Sequence, residues 1–206
     1  MAAIPLTRNA AAPGKADAIR AAVKAVSFPE NARRRIAAPE DAGALLALIG
    51  EPRVHEPIYT LPKPPTPAAV RDFISRHSAE KARGEGLLIL SLDEGGAVDA
   101  YHDIQFWPQW SVCELGGAIR PDKQGRGTGA AGAAAAFDWL FNTIGVDLIC
   151  ETAALDNIRT RKLLERIGFR LIGEIASELP GGGVRPSLYF EMTKEEWQAR
   201  QRSTID

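Results

Sequence analysis

The sequence predicts a mixed α+β domain built on a central, mostly antiparallel sheet, and three observations predict it. Three strand-like stretches, at 87–92, 97–106 and 111–119, follow one another through the short connections Asp93-Glu94-Gly95-Gly96 and Trp107-Pro108-Gln109-Trp110, which makes an antiparallel meander. An alanine-rich helical stretch then separates 111–119 from a compact apolar strand at 146–150. A connection of that crossover length makes these two strands parallel neighbours. Finally, 206 residues with 45% hydrophobic composition suit one domain rather than two, with no internal repeat or linker to divide it.

The elements follow in order. Residues 1–32 read as an N-terminal extension, helical where Ala18, Ile19, Ala22, Val23 and Val26 recur at helical spacing, packing on the domain or on a partner. Residues 33–206 form the domain. Within it, 34–37 is a short first strand, and Pro39-Glu40-Asp41 opens a helix that runs to Ile49 and ends at Gly50. The stretch EPRVHEPIYTLPKPP, at 51–65, is too rich in proline for regular structure and reads as a surface loop. Thr66 is an N-cap with Pro67 at the first helical position, and Val70, Phe73, Ile74 and His77 share one face of a helix reaching Arg83. A later helix, Ile158–Ile167, is stopped by Gly168. Strands at 170–177 and 185–192 flank Pro180-Gly181-Gly182-Gly183, and the tail from Thr193 is polar and helical or frayed.

Charge and cysteine usage exclude several classes. A net charge of −1 lacks the broad basic field of nucleic-acid binders, so any anion site must come from local arrangement. Cys113 and Cys150 lie in apolar runs and read as buried thiols of a cytoplasmic protein rather than a disulfide, a nucleophile or a metal site. No apolar run approaches the roughly 18 residues of a membrane span.

The local arrangement is RPDKQGRGTGAAGAAAAFDWL, from Arg120 to Leu140. A helix start carries unpaired backbone N–H groups and about half a positive charge, and Gly125, Gly127 and Gly129 let a ligand approach the backbone closely. Arg120, Lys123 and Arg126 surround it with positive charge. A nucleotide-triphosphate P-loop needs Lys followed by Ser or Thr after the last glycine, where this chain has Ala130 and Ala131. A dinucleotide fold is a rival, since GRGTGA also spells G-x-G-x-x-A and Glu151 ends the next strand, but residues 120–124 intervene between strand and glycines.

Gln124-Gly125-Arg126-Gly127-Thr128-Gly129 resembles the Q/R-x-x-G-x-G/A motif of the GNAT superfamily of acyl-CoA N-acyltransferases. Asn157 to Phe169, NIRTRKLLERIGF, resembles that family's second motif at the expected distance. The resemblance covers about residues 33–195, and ELGGAIRPDKQGRG with Thr160 and Arg161 is most similar to the ribosomal-protein N-terminal acetyltransferase (Rim-type) branch. It implies a GNAT fold whose fourth and fifth strands, 111–119 and 146–150, splay apart to admit acetyl-CoA. The pantetheine arm is then expected along Gly117, Ala118 and Ile119, the pyrophosphate on the amides of 125–130 up to Ala130, the adenosine 3'-phosphate near Arg120, Lys123 and Arg126, and the arm beside Asn157 and Thr160.

The chemistry so implied is direct attack of an amine on the acetyl thioester, which needs a neutral amine, an oxyanion donor and a proton for the thiolate. Many family members supply that proton from a tyrosine seven residues after the asparagine, where this chain has Leu164. Glu114 is the first candidate for general base, ahead of Glu151, Asp103 and His102, while His55 and His77 read as loop and helix-surface residues. The expected acceptor is a primary amine, either a protein N-terminus or a small molecule, met by the loop around 55–60 and the turn with Trp107 and Trp110. Those aromatics serve packing or a homodimer contact equally well. Two other readings remain at this point: a non-catalytic acyl-CoA-binding module, supported by Leu164, and an NAD-dependent oxidoreductase.

Overall fold

The structure, a computed structural model, describes residues 4–124, 128–179 and 182–203. Its helices are α1 (Lys15–Ala25), α2 (Ala42–Ile49), α3 (Pro52–His55), α4 (Pro67–Arg83), α5 (Thr128–Trp139), α6 (Ile158–Ile167) and α7 (Lys194–Ser203). Its strands are β1 (Arg34–Ile36), β2 (Gly86–Leu92), β3 (Val98–Trp107), β4 (Val112–Ile119), β5 (Leu148–Ala154), β6 (Arg170–Glu178) and β7 (Val184–Thr193). They form one seven-stranded sheet in the order β1-β2-β3-β4-β5-β7-β6. The meander and the parallel β4–β5 pair expected from the sequence are both present, the latter because a whole helix lies between the two strands.

The chain divides into two units. The first holds Arg20–Gln105 and Leu115–Gly129. Its core sits between α2, α4 and the sheet: Leu45, Ile49, Val70, Phe73 and Ile74 pack with Leu88, Leu90, Val98 and Tyr101. Helix α4 begins where Thr66 Oγ1 accepts from the Ala69 amide at 3.2 Å and Pro67 fills the first position, a cap worth about 1 kcal/mol. It ends at Gly84, whose left-handed backbone lies against Arg20 with no room for a side chain. The second unit holds Met1–Ile19, Phe106–Glu114 and Ala130–Asp206. Here Phe137 meets Phe169 at 5.0 Å and Trp197 at 6.4 Å between ring centroids, and Trp197 Nε1 donates to Asp138. Val112, Leu148, Cys150 and Tyr189 form a separate cluster, over which Ile4 packs. The N-terminal segment is tied down there: the Leu6 amide donates to the Tyr189 hydroxyl, Arg8 lies over the Trp110 ring, and Lys15 pairs with Asp147 at 2.8 Å.

Three local expectations need correction. The 51–65 stretch is not wholly irregular, because Pro52 opens the one-turn helix α3 from an extended Glu51, the geometry proline favours at a first helical position. The fifth strand starts at Leu148 and runs through polar Thr152 to Ala154, since pairing with Ser187–Thr193 on β7 supports it beyond the apolar run. His77 is no surface residue. It is 5% exposed, stacked at 4.4 Å on Phe73, with Nδ1 2.8 Å from the Phe73 carbonyl oxygen and Nε2 2.8 Å from Asp103 Oδ1.

Burial alone lowers the pKa of His77, but the Asp103 hydrogen bond and charge, the Phe73 carbonyl and the Glu80 charge outweigh it and raise the pKa above its ordinary value. A folded-state pKa above the unfolded one gives stability that is complete below about pH 6.5 and lost as pH rises through the folded value. The stability advantage of the wild type over His77→Gln, measured by urea unfolding, is therefore expected to be larger at pH 6 than at pH 9. A gap unchanged between the two pH values contradicts the account.

Candidate active site

The fourth strand carries the first part of the site. Gly116 and Gly117 are exposed although β4 lies inside the sheet order, so their backbone is open to solvent. Gly117 has φ +154°, and a Cβ there would overlap the Tyr101 carbonyl oxygen on β3. Only glycine fits. The register of β4 on β5 pairs Val112 with Leu148, Cys113 with Ile149 and Glu114 with Cys150, and both strands continue beyond the last pair. Ala118 packs against the core of its unit, and the Ile119 carbonyl accepts from Gln124 Nε2 at 2.6 Å. The motif glutamine thus closes the turn that leaves β4.

That turn is ordered by charge. Arg120 donates to Asp122 at 2.7 Å and to Asp93 at 3.0 Å, its amide donates to the Asp99 carbonyl, and Lys123 lies 3.5 Å from Asp99. The Ala97 amide and Arg120 hold the Asp93 carboxyl below its usual range, and Arg120 does the same for Asp122. The Arg120 guanidinium is therefore occupied by two carboxylates. Gly125, Arg126 and Gly127 lie outside the described residues. Thr128 and Gly129 open α5 and Ala130 follows in its first turn.

Asn157 caps α6: its Oδ1 accepts from the Thr160 amide at 3.1 Å, which leaves the Nδ2 donors for another partner. Gly168, at φ +109°, ends the helix as expected. Leu155 and Ile158, either side of the cap, are 43% and 60% exposed, and Leu164 is buried.

Glu114, half-buried, accepts from the Thr152 hydroxyl at 2.8 Å on β5. Nearby on β7, the Tyr189 hydroxyl donates to Glu191 at 3.0 Å while accepting from Leu6. Burial raises Tyr189 far above the usual phenol range, so it keeps its proton. Burial likewise raises the Cys113 and Cys150 thiols, which remain free and protonated. Sequence reasoning missed Tyr189 and Glu191; the signal was a Tyr-x-Glu pair at strand spacing inside an apolar run. Glu151 is buried too, and His102 is lowered to about 4 by burial and by Arg34, so its imidazole is neutral at pH 7.

Among the described residues, no His, Cys, Asp and Glu group is placed to hold a metal, and no helix is long and apolar enough to cross a membrane. A cavity of about 200 Å³ lies under the N-terminal segment, lined by Asn9, Trp110, Asp147, Thr193 and Glu195 among others. Its rim includes Ser111, the one non-glycine residue with positive φ among the described residues, which accepts from the Asp147 amide.

Comparison with known proteins fits this architecture. A model of the acetyltransferase (GNAT) domain matches residues 34–170. A solved ribosomal-protein-S5-alanine acetyltransferase from Vibrio fischeri is 16% identical, covering 84% of this chain and 98% of that one, with a TM-score of 0.67. RimJ from Mycobacterium smegmatis, in complex with CoA-disulfide, is 22% identical over 79% and 82%, with a TM-score of 0.66. AAC(6')-Ib, in complex with ribostamycin and coenzyme A, is 19% identical over 80% and 94%, also at 0.66. At such identities the likeness is one of fold. A search of curated proteins found no match.

The two glycine environments give a contrast to test. Gly117→Ala is expected to cost about 3 kcal/mol, from positive φ and overlap with Tyr101 together. Gly132→Ala, in open space within α5, is expected to gain up to about 1 kcal/mol. Denaturant midpoints measure both, and equal midpoints for the two variants contradict the close approach of β4 to β3.

Proposed function

The chain belongs to the GNAT acetyltransferase family and is an N-acetyltransferase, and on that premise we propose that it transfers acetyl from acetyl-CoA directly to a primary amine, a protein N-terminus or a small-molecule amine. The observation that carries this reading is the exposed backbone at Gly116 and Gly117 on an interior strand. Such solvent-reachable backbone can meet an extended ligand, as a strand edge does. We assign the pantetheine arm to Gly117, Ala118 and Ile119, and the pyrophosphate to the amides at the start of α5, through Gly125, Gly127, Thr128, Gly129 and Ala130. Asn157, through its Nδ2 donor, and Thr160 are the cofactor-binding residues we assign to the start of α6. Because Asp93 and Asp122 occupy Arg120, its part is to fix the turn, and Lys123 and Arg126 supply the charge for phosphate. The catalytic domain is taken as residues 33–206, preceded by the extension 1–32, in a cytoplasmic protein.

In the proposed reaction the neutral amine nitrogen attacks the thioester carbonyl carbon. A β4 backbone N–H stabilises the oxyanion, the C–S bond breaks, and CoA leaves as thiolate. Glu114, oriented by Thr152, takes the proton from the amine directly or through a water. No hydroxyl stands at Leu164, and Tyr189 holds its proton too tightly to give it up, so the thiolate takes a proton from water and the proton on Glu114 neutralises the hydroxide left behind.

Thermal denaturation with acetyl-CoA, CoA, NAD and NADP tests the ligand. A ligand at 100 times its Kd stabilises by about 2.7 kcal/mol, and the expected result is a shift with the two CoA compounds alone. A shift with NAD or NADP alone overturns the reading. Glu114→Gln is expected to lower kcat about 100-fold without changing the acetyl-CoA shift; unchanged kcat removes Glu114 as base, and a shift without turnover on any primary amine overturns the proposed acceptor class.

A further inference from the structure

We propose that Asp93, on the hairpin between β2 and β3, is a positioning residue for the phosphates of acetyl-CoA, acting through Arg120 on the turn that leads to α5. This role deepens the acetyl-transfer reading and rests on one part of it, the pyrophosphate bound at the start of that helix.

Asp93 uses its two oxygens for two tasks. Oδ1 accepts from the Gly95 and Ala97 amides, both at 3.0 Å, and so fixes the hairpin turn to which it belongs. Oδ2 accepts from Arg120 Nη1 at 3.0 Å, across 27 residues of chain. The other guanidinium nitrogens, Nε and Nη2, donate to the two oxygens of Asp122 at 2.7 and 3.3 Å. Asp122 lies two residues from Arg120 and moves with the turn, whereas Asp93 belongs to a hairpin whose strands pair from Gly86 with Gln105 to Leu92 with Val98. The Arg120 side chain is 34% exposed and that of Asp93 17%, so their bond is partly shielded from solvent.

Arg120 is where the turn takes its direction. Its amide donates to the Asp99 carbonyl at 2.7 Å, its carbonyl accepts from the Lys123 amide at 2.9 Å, and the Gln124 amide donates to the Pro121 carbonyl at 3.2 Å. Thr128, which opens α5, follows four residues after Gln124. Backbone amides recognise a phosphate by where they point, and amides already held in place bind it without the entropy cost of ordering them.

Charge alone predicts the opposite effect. The charged groups bonded into the turn are two cations, Arg120 and Lys123, and three carboxylates, Asp93, Asp99 and Asp122, with Lys123 3.5 Å from Asp99. Glu94, next on the hairpin, has an 85% exposed side chain and pairs with Arg33. The sum at the turn is negative, so losing any of these carboxylates favours an arriving phosphate, and losing Asp93 also releases Arg120 to meet it. Only a positioning role makes the removal of Asp93 harmful.

Asp93→Asn separates the two tasks, because it keeps Oδ1 for the Gly95 and Ala97 amides and turns an NH2 group towards Arg120. Calorimetric titrations of the full chain with acetyl-CoA and with S-acetylpantetheine, which has the arm but no phosphate, read the effect. The Kd for acetyl-CoA is expected to rise about tenfold in Asp93→Asn, with the Kd for S-acetylpantetheine as in the wild type. Asp93→Asn added to Arg120→Ala is expected to cause no further loss, since both break the same contact. Glu94→Gln, which removes the same charge one residue away, is expected to bind acetyl-CoA at least as tightly as the wild type. An unchanged or lower acetyl-CoA Kd in Asp93→Asn, an equal rise for both ligands, or full additivity with Arg120→Ala overturns the role. Wild-type binding of acetyl-CoA that Asp93→Asn matches defeats this inference alone, whereas a wild type that does not bind acetyl-CoA defeats the acetyl-transfer reading beneath it.

Discussion

The approach of β4 to β3 at Gly117 is the constraint on which the proposed site depends. A side chain at this position would run into the Tyr101 carbonyl, so the strand holds its course only because glycine stands there. With Gly116 beside it, the strand offers main chain rather than side chains to solvent. A central strand ordinarily spends all its backbone groups on its neighbours. Here the register with β5 ends at Glu114 and Cys150 while both strands run on, and that departure is what an extended, amide-bearing ligand requires.

Charge holds the surroundings of this strand in place. The turn after β4 is fixed by Arg120 between Asp93 and Asp122 and by the Gln124 side chain on the Ile119 carbonyl. Under α4, the buried His77 ring joins the helix to β3 through Asp103. Breaking such a buried pair leaves a charge uncompensated, which is why it is costly to lose one partner. On the other unit, Thr152 orients Glu114, while Tyr189 and Glu191 bond to each other under the N-terminal segment. Polar groups in both units are thus directed by specific partners rather than left to solvent.

Much of this was legible in the sequence because it is written in local chemistry. Thr66-Pro67 announced α4, Gly168 announced the end of α6, and the spacing of apolar runs announced the meander and the crossover to β5. What was not legible depended on residues far apart in the chain. His77 has helix-face spacing with Val70 and Phe73, yet its polar character hid its burial until Asp103, 26 residues away, supplied a partner. Arg120 looked free to meet phosphate, and only the fold brings Asp93 to it. Glu151 looked like the end of a strand because pairing with β7 cannot be read from β5. The Gly117 requirement itself was present only as a glycine, since its reason lies on another strand.

The most direct measurement is amide hydrogen exchange along β4 with and without acetyl-CoA. The account predicts that the ligand slows exchange at Gly117, Ala118 and Ile119 at least about tenfold, while amides within α4 are unchanged. Saturating acetyl-CoA that leaves these three amides exchanging as before contradicts the claim that this strand is where the thioester carrier binds.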